Sequence, residues 1–326
     1  MKIAIEELRK KIEATLAQNF TYEDAQKIAA YFIWAEMSGN KTQGIVKMLG
    51  TEPIQSIKPK HEMRVEKDTK LSRLINAGAY PAPLAAQIAT EVVIAKAKEH
   101  GFAIVGVHNT FSSNGAQAYY AEQIGRADLI GIVASSSPAA VAAFGGIDPV
   151  FGTNPIGFSF PTNGEPMVFD MATSAMTFYG LVLAKTRGDK IPENMAIDKD
   201  GNSTTDPVDA MAGALLPFDR GYKGSGLGMI VEMLAGPLVH AAYSDPSLEG
   251  EWGSTFIAID PELLVDIQQF KAQCSDMLQR ILQSRKGVGI EEIRLPGEKS
   301  QWLYREAMAS GIVDIDDSIL ENLKYL

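Results

Sequence analysis

The chain predicts an α/β fold, and three consecutive stretches carry that reading. Residues 82–100 form a helix with Pro83 in the first turn and Gly101 as the stop. Phe102-Ala-Ile-Val-Gly-Val107 is a short apolar strand, followed by the polar loop Asn109-Thr-Phe-Ser-Ser-Asn-Gly115. Residues 116–126 then read as a helix, and 129–134 as a second apolar strand that ends in Ser135-Ser-Ser-Pro138. Helices alternating with buried strands are the pattern of an α/β domain.

Before that unit, residues 1–35 read as helical. Ile3, Ile5, Leu8, Ile12 and Leu16 recur at helical spacing. Thr21-Tyr-Glu-Asp24 opens a second helix with a hydroxyl at the cap and acids in the first turn. Ser38-Gly-Asn-Lys-Thr-Gln-Gly44 breaks it, and residues 51–70, with prolines at 53 and 59, read as extended or irregular. After the unit, Ile156-Gly-Phe-Ser-Phe160 and Met167-Val-Phe169 are short strands. Residues 201–207 are turns, 227–243 a buried helix, 261–284 a long amphipathic helix, and 301–325 helical in two pieces. Soft boundaries fall near 80 and 250. A central α/β body, 81–249, is expected, with helical segments 1–80 and 250–326 packing together around it.

Composition removes several function classes. The formal charge is 30 − 40 = −10 without a basic run, which argues against nucleic-acid and membrane-surface partners. Residues 227–243 carry Glu232 and His240 and fall short of the ~20 apolar residues of a membrane span. Cys274 is the single cysteine, so an intramolecular disulfide or a thiolate metal cluster is excluded. The four histidines, 61, 100, 108 and 240, show no metal-ligand spacing, and no metal is expected. The N-terminus is charged throughout, without a signal-peptide apolar region, so a cytoplasmic location is expected.

No dinucleotide fingerprint of the Gly-x-Gly-x-x-Gly type follows a strand, and no Walker loop is present. Gly224-Ser-Gly-Leu-Gly228 opens an apolar helix behind Tyr222 and Lys223. Amides at a helix start can hold a phosphate, but from spacing alone tight helix packing is the favoured reading of such glycines. Asp170-Met-Ala-Thr-Ser174 follows a strand and reads either as a helix cap or as a cofactor-facing loop. His108 ends a strand just before the polar loop, where ligands of open α/β sheets sit.

Taken in order, Phe151-Gly-Thr-Asn-Pro-Ile-Gly-Phe158, Phe169-Asp-Met-Ala-Thr-Ser174, Thr204-Thr-Asp-Pro207 and Gly221-Tyr-Lys-Gly-Ser-Gly-Leu-Gly228 resemble the type-2 malate/L-lactate dehydrogenase family. That family also holds sulfolactate, ureidoglycolate and diketogulonate enzymes and a cyclic-imine reductase. The resemblance covers most of the chain and is densest over 101–240. It implies a non-Rossmann mixed sheet, NAD or NADP as cofactor, and a homodimer with its active site near the subunit interface. It further implies cofactor contacts at Asp170, Met171, Ala172, Thr173 and Ser174, at Tyr222 and Lys223, at Gly297, Glu298 and Lys299, and at the turn of Ser135 and Ser136.

The departures fall on the catalytic positions. Where family members commonly read Gly-His-Asp-Ser-His-Gly, this chain reads Gly39-Asn-Lys-Thr-Gln-Gly44, so Gln43 stands for the acid histidine. Lys47 stands for a carboxylate-gripping arginine, and Ser113 for the histidine of the second loop. Neutral glutamine and serine are poor proton donors. Three readings follow. Lys41 or His108 supplies the proton from a shifted position, the substrate is a cyclic imine that arrives protonated, or the chain binds without turnover. A hydride transfer between a nicotinamide and C2 of a small 2-oxo or 2-hydroxy carboxylate is expected, with Lys47 on the carboxylate and Gln43 and Ser113 orienting the substrate.

Overall fold

Strand Phe102–Thr110 sits third in a seven-stranded sheet, in the computed structural model that describes residues 1–49, 53–243, 252–316 and 319. The order is Arg64–Asp68, Ser72–Asn76, Phe102–Thr110, Trp252–Ile259, Ile130–Ser135, Ile156–Phe160 and Met167–Met171. Ser72–Asn76 runs parallel to Phe102–Thr110, and the other neighbours are antiparallel, so the sheet is mixed. Strands 102–110 and 130–135, consecutive in the chain, are separated in space. Trp252–Ile259 lies between them and pairs with both.

Alternation along Ile130–Ser135 divides the core. Val133 packs into the larger cluster with Tyr120, Val93 and Phe256, beneath helices Ala82–His100 and Gln117–Arg126. Ala134 points the other way and packs with Ile156 and Val231 of helix Tyr222–Ala235. The helix over 82–100 ends at Gly101, whose φ of +81° is the left-handed stop expected of glycine.

A smaller five-stranded sheet, ordered Ser203–Thr204, Ala196–Ile197, Ala214–Leu215, Val141–Ala142 and Pro149–Phe151, packs with helices Phe178–Arg187 and Pro207–Ala212. Its own core joins Val141, Phe151, Leu181, Ile191, Ala196, Ala210 and Leu215. The chain leaves the large sheet at Ser135 and returns at Ile156.

Several elements differ from expectation. Residues Lys2–Ala4 form a strand paired with Ile312–Asp314, so the first helix begins only at Ile5. Thr21 caps the second helix, Tyr22–Met37, by accepting the Asp24 amide at 3.2 Å. The strand expected over 102–107 continues to Thr110, because Asn76 and Trp252 supply partners for His108 and Thr110. Strand Arg64–Asp68 forms within a stretch read as irregular, of which 51 and 52 lie outside the described residues. The amphipathic helix begins at Ile267, where Asp266 caps the Gln269 amide, after a short 3-10 turn Pro261–Leu263. The helix read over 227–243 runs from Tyr222 to Ala235 and leaves Met229, Ile230 and Met233 exposed, so it is buried on one face only. Near the C-terminus, Glu298–Ser310 is helical and Ile312–Asp314 is strand; 317, 318 and 320–326 lie outside the described residues. No helix among the described residues is long and apolar enough to cross a membrane.

Phe256 is fully buried on the central strand, edge-on to Tyr120 with ring centroids 6.0 Å apart. Phe256→Ala is expected to cost about 3–5 kcal/mol, read as a lower urea midpoint with an unchanged m-value.

Candidate active site

Helix Tyr22–Met37 buries two polar side chains, and each one holds a loop. Glu36 accepts the Ile45 amide on Oε1 at 2.9 Å. That bond anchors the 3-10 turns Lys41–Gln43 and Ile45–Met48. Tyr31 accepts the Ala116 amide on its hydroxyl at 2.7 Å. The neighbouring Gly115 has φ +84°, and a Cβ there would overlap the Tyr31 hydroxyl, so only glycine fits. Asn114 is fixed from both ends: its Nδ2 donates to Ser254 Oγ at 2.8 Å, and its carbonyl accepts from Tyr120 Oη at 2.8 Å.

The two loops face a cavity of about 420 Å³, within the usual range for a small-molecule site. Gln43, Lys47 and Ser113 line it, together with Ser135, Ser136, Asp170, Met171 and Ala172. Lys47 Nζ donates to Ser113 Oγ at 2.9 Å and lies 5.4 Å from the centroid of the Tyr179 ring. Burial pushes the Lys47 ammonium down to about 8, because little solvent or counter-charge supports it. Among the described residues that line the cavity, Lys47 is the single cation.

Asp170 belongs both to this wall and to an adjoining cavity of about 130 Å³, which also contains Gly297, Ser300 and Tyr304. Its Oδ2 accepts the Ala118 amide at 3.0 Å, at the start of helix Gln117–Arg126. Burial raises its carboxyl to about 6, against the lowering effect of the amides of Ala118 and Gln117. The hydroxyls of Ser135 and Ser136 are spent on the scaffold: Ser135 on the Ser254 hydroxyl at 3.2 Å, Ser136 on the Ala235 carbonyl at 3.2 Å. Thr173 and Ser174 turn inward, Thr173 to the Asn154 carbonyl at 3.1 Å and Ser174 to the Met176 carbonyl at 2.6 Å.

Other residues singled out in the sequence stand elsewhere. Lys41 is exposed and donates to the Asp314 carbonyl at 2.8 Å. His108 pairs through Nε2 with Glu66 at 2.9 Å, near the His240 ring and outside the cavity wall. Tyr222 and Lys223 are exposed on the first turn of their helix. Asp219 already accepts the amides of Gly221 and Gly224, at 2.9 and 3.0 Å, where a phosphate reading of the glycines would need them. Glu298 and Lys299 are exposed beside Gly297. Conversely, Gln117 and Tyr179 line the cavity, and no motif in the chain marks either one. Glu36 does carry a signal, an acid within the apolar run of a helix.

The wall suits a nicotinamide dinucleotide. Gln117 Oε1 is buried without a hydrogen-bond partner, and a carboxamide could supply the missing donor. No group of three side chains placed to hold a metal occurs among the described residues.

Burial also raises Glu36 to about 7 from an ordinary 4.5. The folded state therefore holds the proton more tightly than the unfolded chain, and this stability is lost as pH rises from about 4.5 to 7. Glu36→Gln keeps the acceptor for Ile45 and removes the titration. Its unfolding free energy is expected to change by on the order of 2 kcal/mol less than wild type across that window, as followed by urea denaturation at each pH.

The model of the family described as malate/L-lactate dehydrogenase matches residues 3–324. A malate/(S)-sulfolactate dehydrogenase of Methanothermus fervidus is 34% identical over 342 residues, covering 100% of this chain and 97% of the relative. The structure of a sulfolactate dehydrogenase from Methanocaldococcus jannaschii superposes with a TM-score of 0.87 at 31% identity, over 100% of this chain and 96% of that one. A Δ1-piperideine-2-carboxylate reductase from Pseudomonas syringae pvar. tomato superposes with a TM-score of 0.88 at 29% identity, over 100% and 99%. With a mixed sheet of the same build and a cavity walled by the Asp170 motif and both loops, this chain belongs to the malate/L-lactate dehydrogenase family of oxidoreductases.

Proposed function

We propose that the protein transfers a hydride between NAD or NADP and C2 of a small 2-oxo or 2-hydroxy carboxylate. One observation carries the reading: a single cavity joins the cation Lys47, the polar pair Gln43 and Ser113, and the Asp170–Ala172 wall. Lys47 meets the substrate carboxylate as a point charge. Gln43 and Ser113 hold the C2 oxygen by hydrogen bonds, and Phe178 and Tyr179 add aromatic surface to the wall. Asp170, Met171, Ala172 and the Ser135–Ser136 turn form the cofactor side, with Gln117 Oε1 as an acceptor. The bound dinucleotide would supply or accept the hydride.

A second reading, reduction of a cyclic 2-imino acid, draws support from the neutral side chains at 43 and 113, since a protonated imine needs no acid from the wall. A third, binding without turnover, is opposed by a cavity that retains both a cation and the Asp170 motif. We further propose a cytoplasmic homodimer. Tyr222, Met229, Ile230 and Met233 on one helix, with Leu238 and Tyr243 after it, are exposed large apolar side chains, as a subunit interface would supply.

Two measurements test the assignment. NADH or NADPH should raise the thermal midpoint, because a ligand of the native state stabilises it by mass action; a shift with one nucleotide identifies the cofactor. Lys47→Ala should then raise KM for the acid about tenfold or more, the loss of a charge-assisted contact. The dinucleotide Kd should stay within about twofold. Equal losses in both would remove Lys47 from the carboxylate.

A further inference from the structure

Reduction of a carbonyl needs a proton on oxygen as well as a hydride on carbon. The two donors that the sequence offers outside the cavity are both occupied. Lys41 is turned outward to the Asp314 carbonyl, and His108 is paired with Glu66. The Lys47–Ser113 contact lies in the wall itself. An ammonium has three donors and no acceptor, so Lys47 must donate to Ser113 Oγ, which leaves the Ser113 O–H free to donate in turn.

Resting on the 2-oxo acid reading above, we infer that Ser113 is the immediate proton donor to the C2 oxygen and that Lys47 replenishes it. The balance is simple. As hydride reaches C2, the C=O π pair moves onto oxygen and takes the Ser113 proton. One Lys47 N–H bond breaks to restore the Ser113 O–H. Substrate and hydride become the alcohol, Lys47 becomes a neutral amine, and solvent reprotonates it after product leaves. The other two Lys47 protons stay available to the carboxylate throughout. In the oxidation direction each step reverses.

The surroundings separate this titration from its neighbours. Facing Lys47 are Ser113 and, beneath the ammonium, Tyr179, whose hydroxyl burial holds above its ordinary value. Asp170 shares the cavity wall and Glu36 supports the loop; they titrate near 6 and 7, on the acid side. Lys41, on the same segment, is turned outward. An alkaline limb near 8 therefore belongs to Lys47.

The test uses the full-length protein with NADH or NADPH, a panel of 2-oxo acids and cyclic imines, and the variants Ser113→Ala, Ser113→Thr and Lys47→Arg. Wild-type kcat/KM for reduction should fall as pH rises above about 8. Ser113→Ala should lower kcat about 100-fold on 2-oxo acids, the usual worth of general-acid catalysis. KM should change little, and Ser113→Thr should restore most of kcat. Lys47→Arg keeps the charge but not an acid of useful pKa, so KM should hold while kcat falls and the alkaline limb disappears. A readout independent of turnover is the pH dependence of Lys47 trinitrophenylation by trinitrobenzenesulfonate in the cofactor-free protein, followed by mass spectrometry. Its midpoint should lie near 8, and a midpoint above 10 would overturn the inference. So would wild-type kcat on 2-oxo acids in either Ser113→Ala or Lys47→Arg, while leaving the dehydrogenase reading intact. Absence of turnover by wild type on every acid and imine would instead overturn that reading, and the relay with it.

Discussion

The site depends on one helix that buries two polar groups it cannot leave unpaired. Tyr31 and Glu36 lie inside the core, where an unsatisfied hydroxyl or carboxylate costs about 1–3 kcal/mol or more. Each is satisfied by a backbone amide of a different loop, Ala116 and Ile45. Neither loop has a regular ladder to locate it. The separation between Lys47 and Ser113, 66 residues apart in sequence, is therefore set by a span of less than two turns on a single rigid element. The helix is itself held on its other side by the apolar faces of Ile28, Phe32 and Ala29 in the main core.

The opposite wall is held by strand Trp252–Ile259. Its Ser254 receives Asn114 and contacts Ser135, and its Gly253 exchanges hydrogen bonds with Ser136. A Cβ on Gly253 would strike the Ala235 carbonyl, which explains how the helix can approach the strand so closely. This strand is distant in sequence from everything it supports. Central placement of a late strand is a long-range property, and local periodicity carries no information about it. The strands expected at 156–160 and 167–169 and the helix at 82–100 were legible because their own residues define them: an apolar face, a proline at the start, a glycine at the end. The N-terminal strand Lys2–Ala4 was not, since its three residues continue the helical spacing and only the partner at 312–314 extends them.

The site shows the same division. The family resemblance located both loops, but spacing could not separate Lys41 from Lys47. They lie six residues apart, and a 3-10 segment anchored at Ile45 sends one to the surface and the other into the cavity. Read from its sequence alone, His108 ends a strand. The strand continues past it through Asn109 to Thr110, and the His108 ring turns to Glu66 on the first strand of the sheet. Asp219 shows why a glycine-rich helix start is weak evidence for an anion site: the protein supplies its own carboxylate to the amides. Tyr179 and Gln117 left no trace in the sequence because their meaning comes only from what they face.

Lysine at 47 also changes what the cavity can do chemically. A guanidinium holds a carboxylate in a fixed fork but does not give up a proton in the working pH range. An ammonium grips less precisely, and burial can bring it to where it exchanges protons near pH 8. With glutamine and serine where the resemblance implies histidines, the proposed relay gives the acid role to the one cation of the cavity lining. Serine at 113 serves that arrangement because a hydroxyl accepts and donates at once, whereas a glutamine there would present its acceptor and its donors on different atoms. On the proposed relay, Lys47 and Ser113 thus act as a pair, joined by the Nζ–Oγ hydrogen bond.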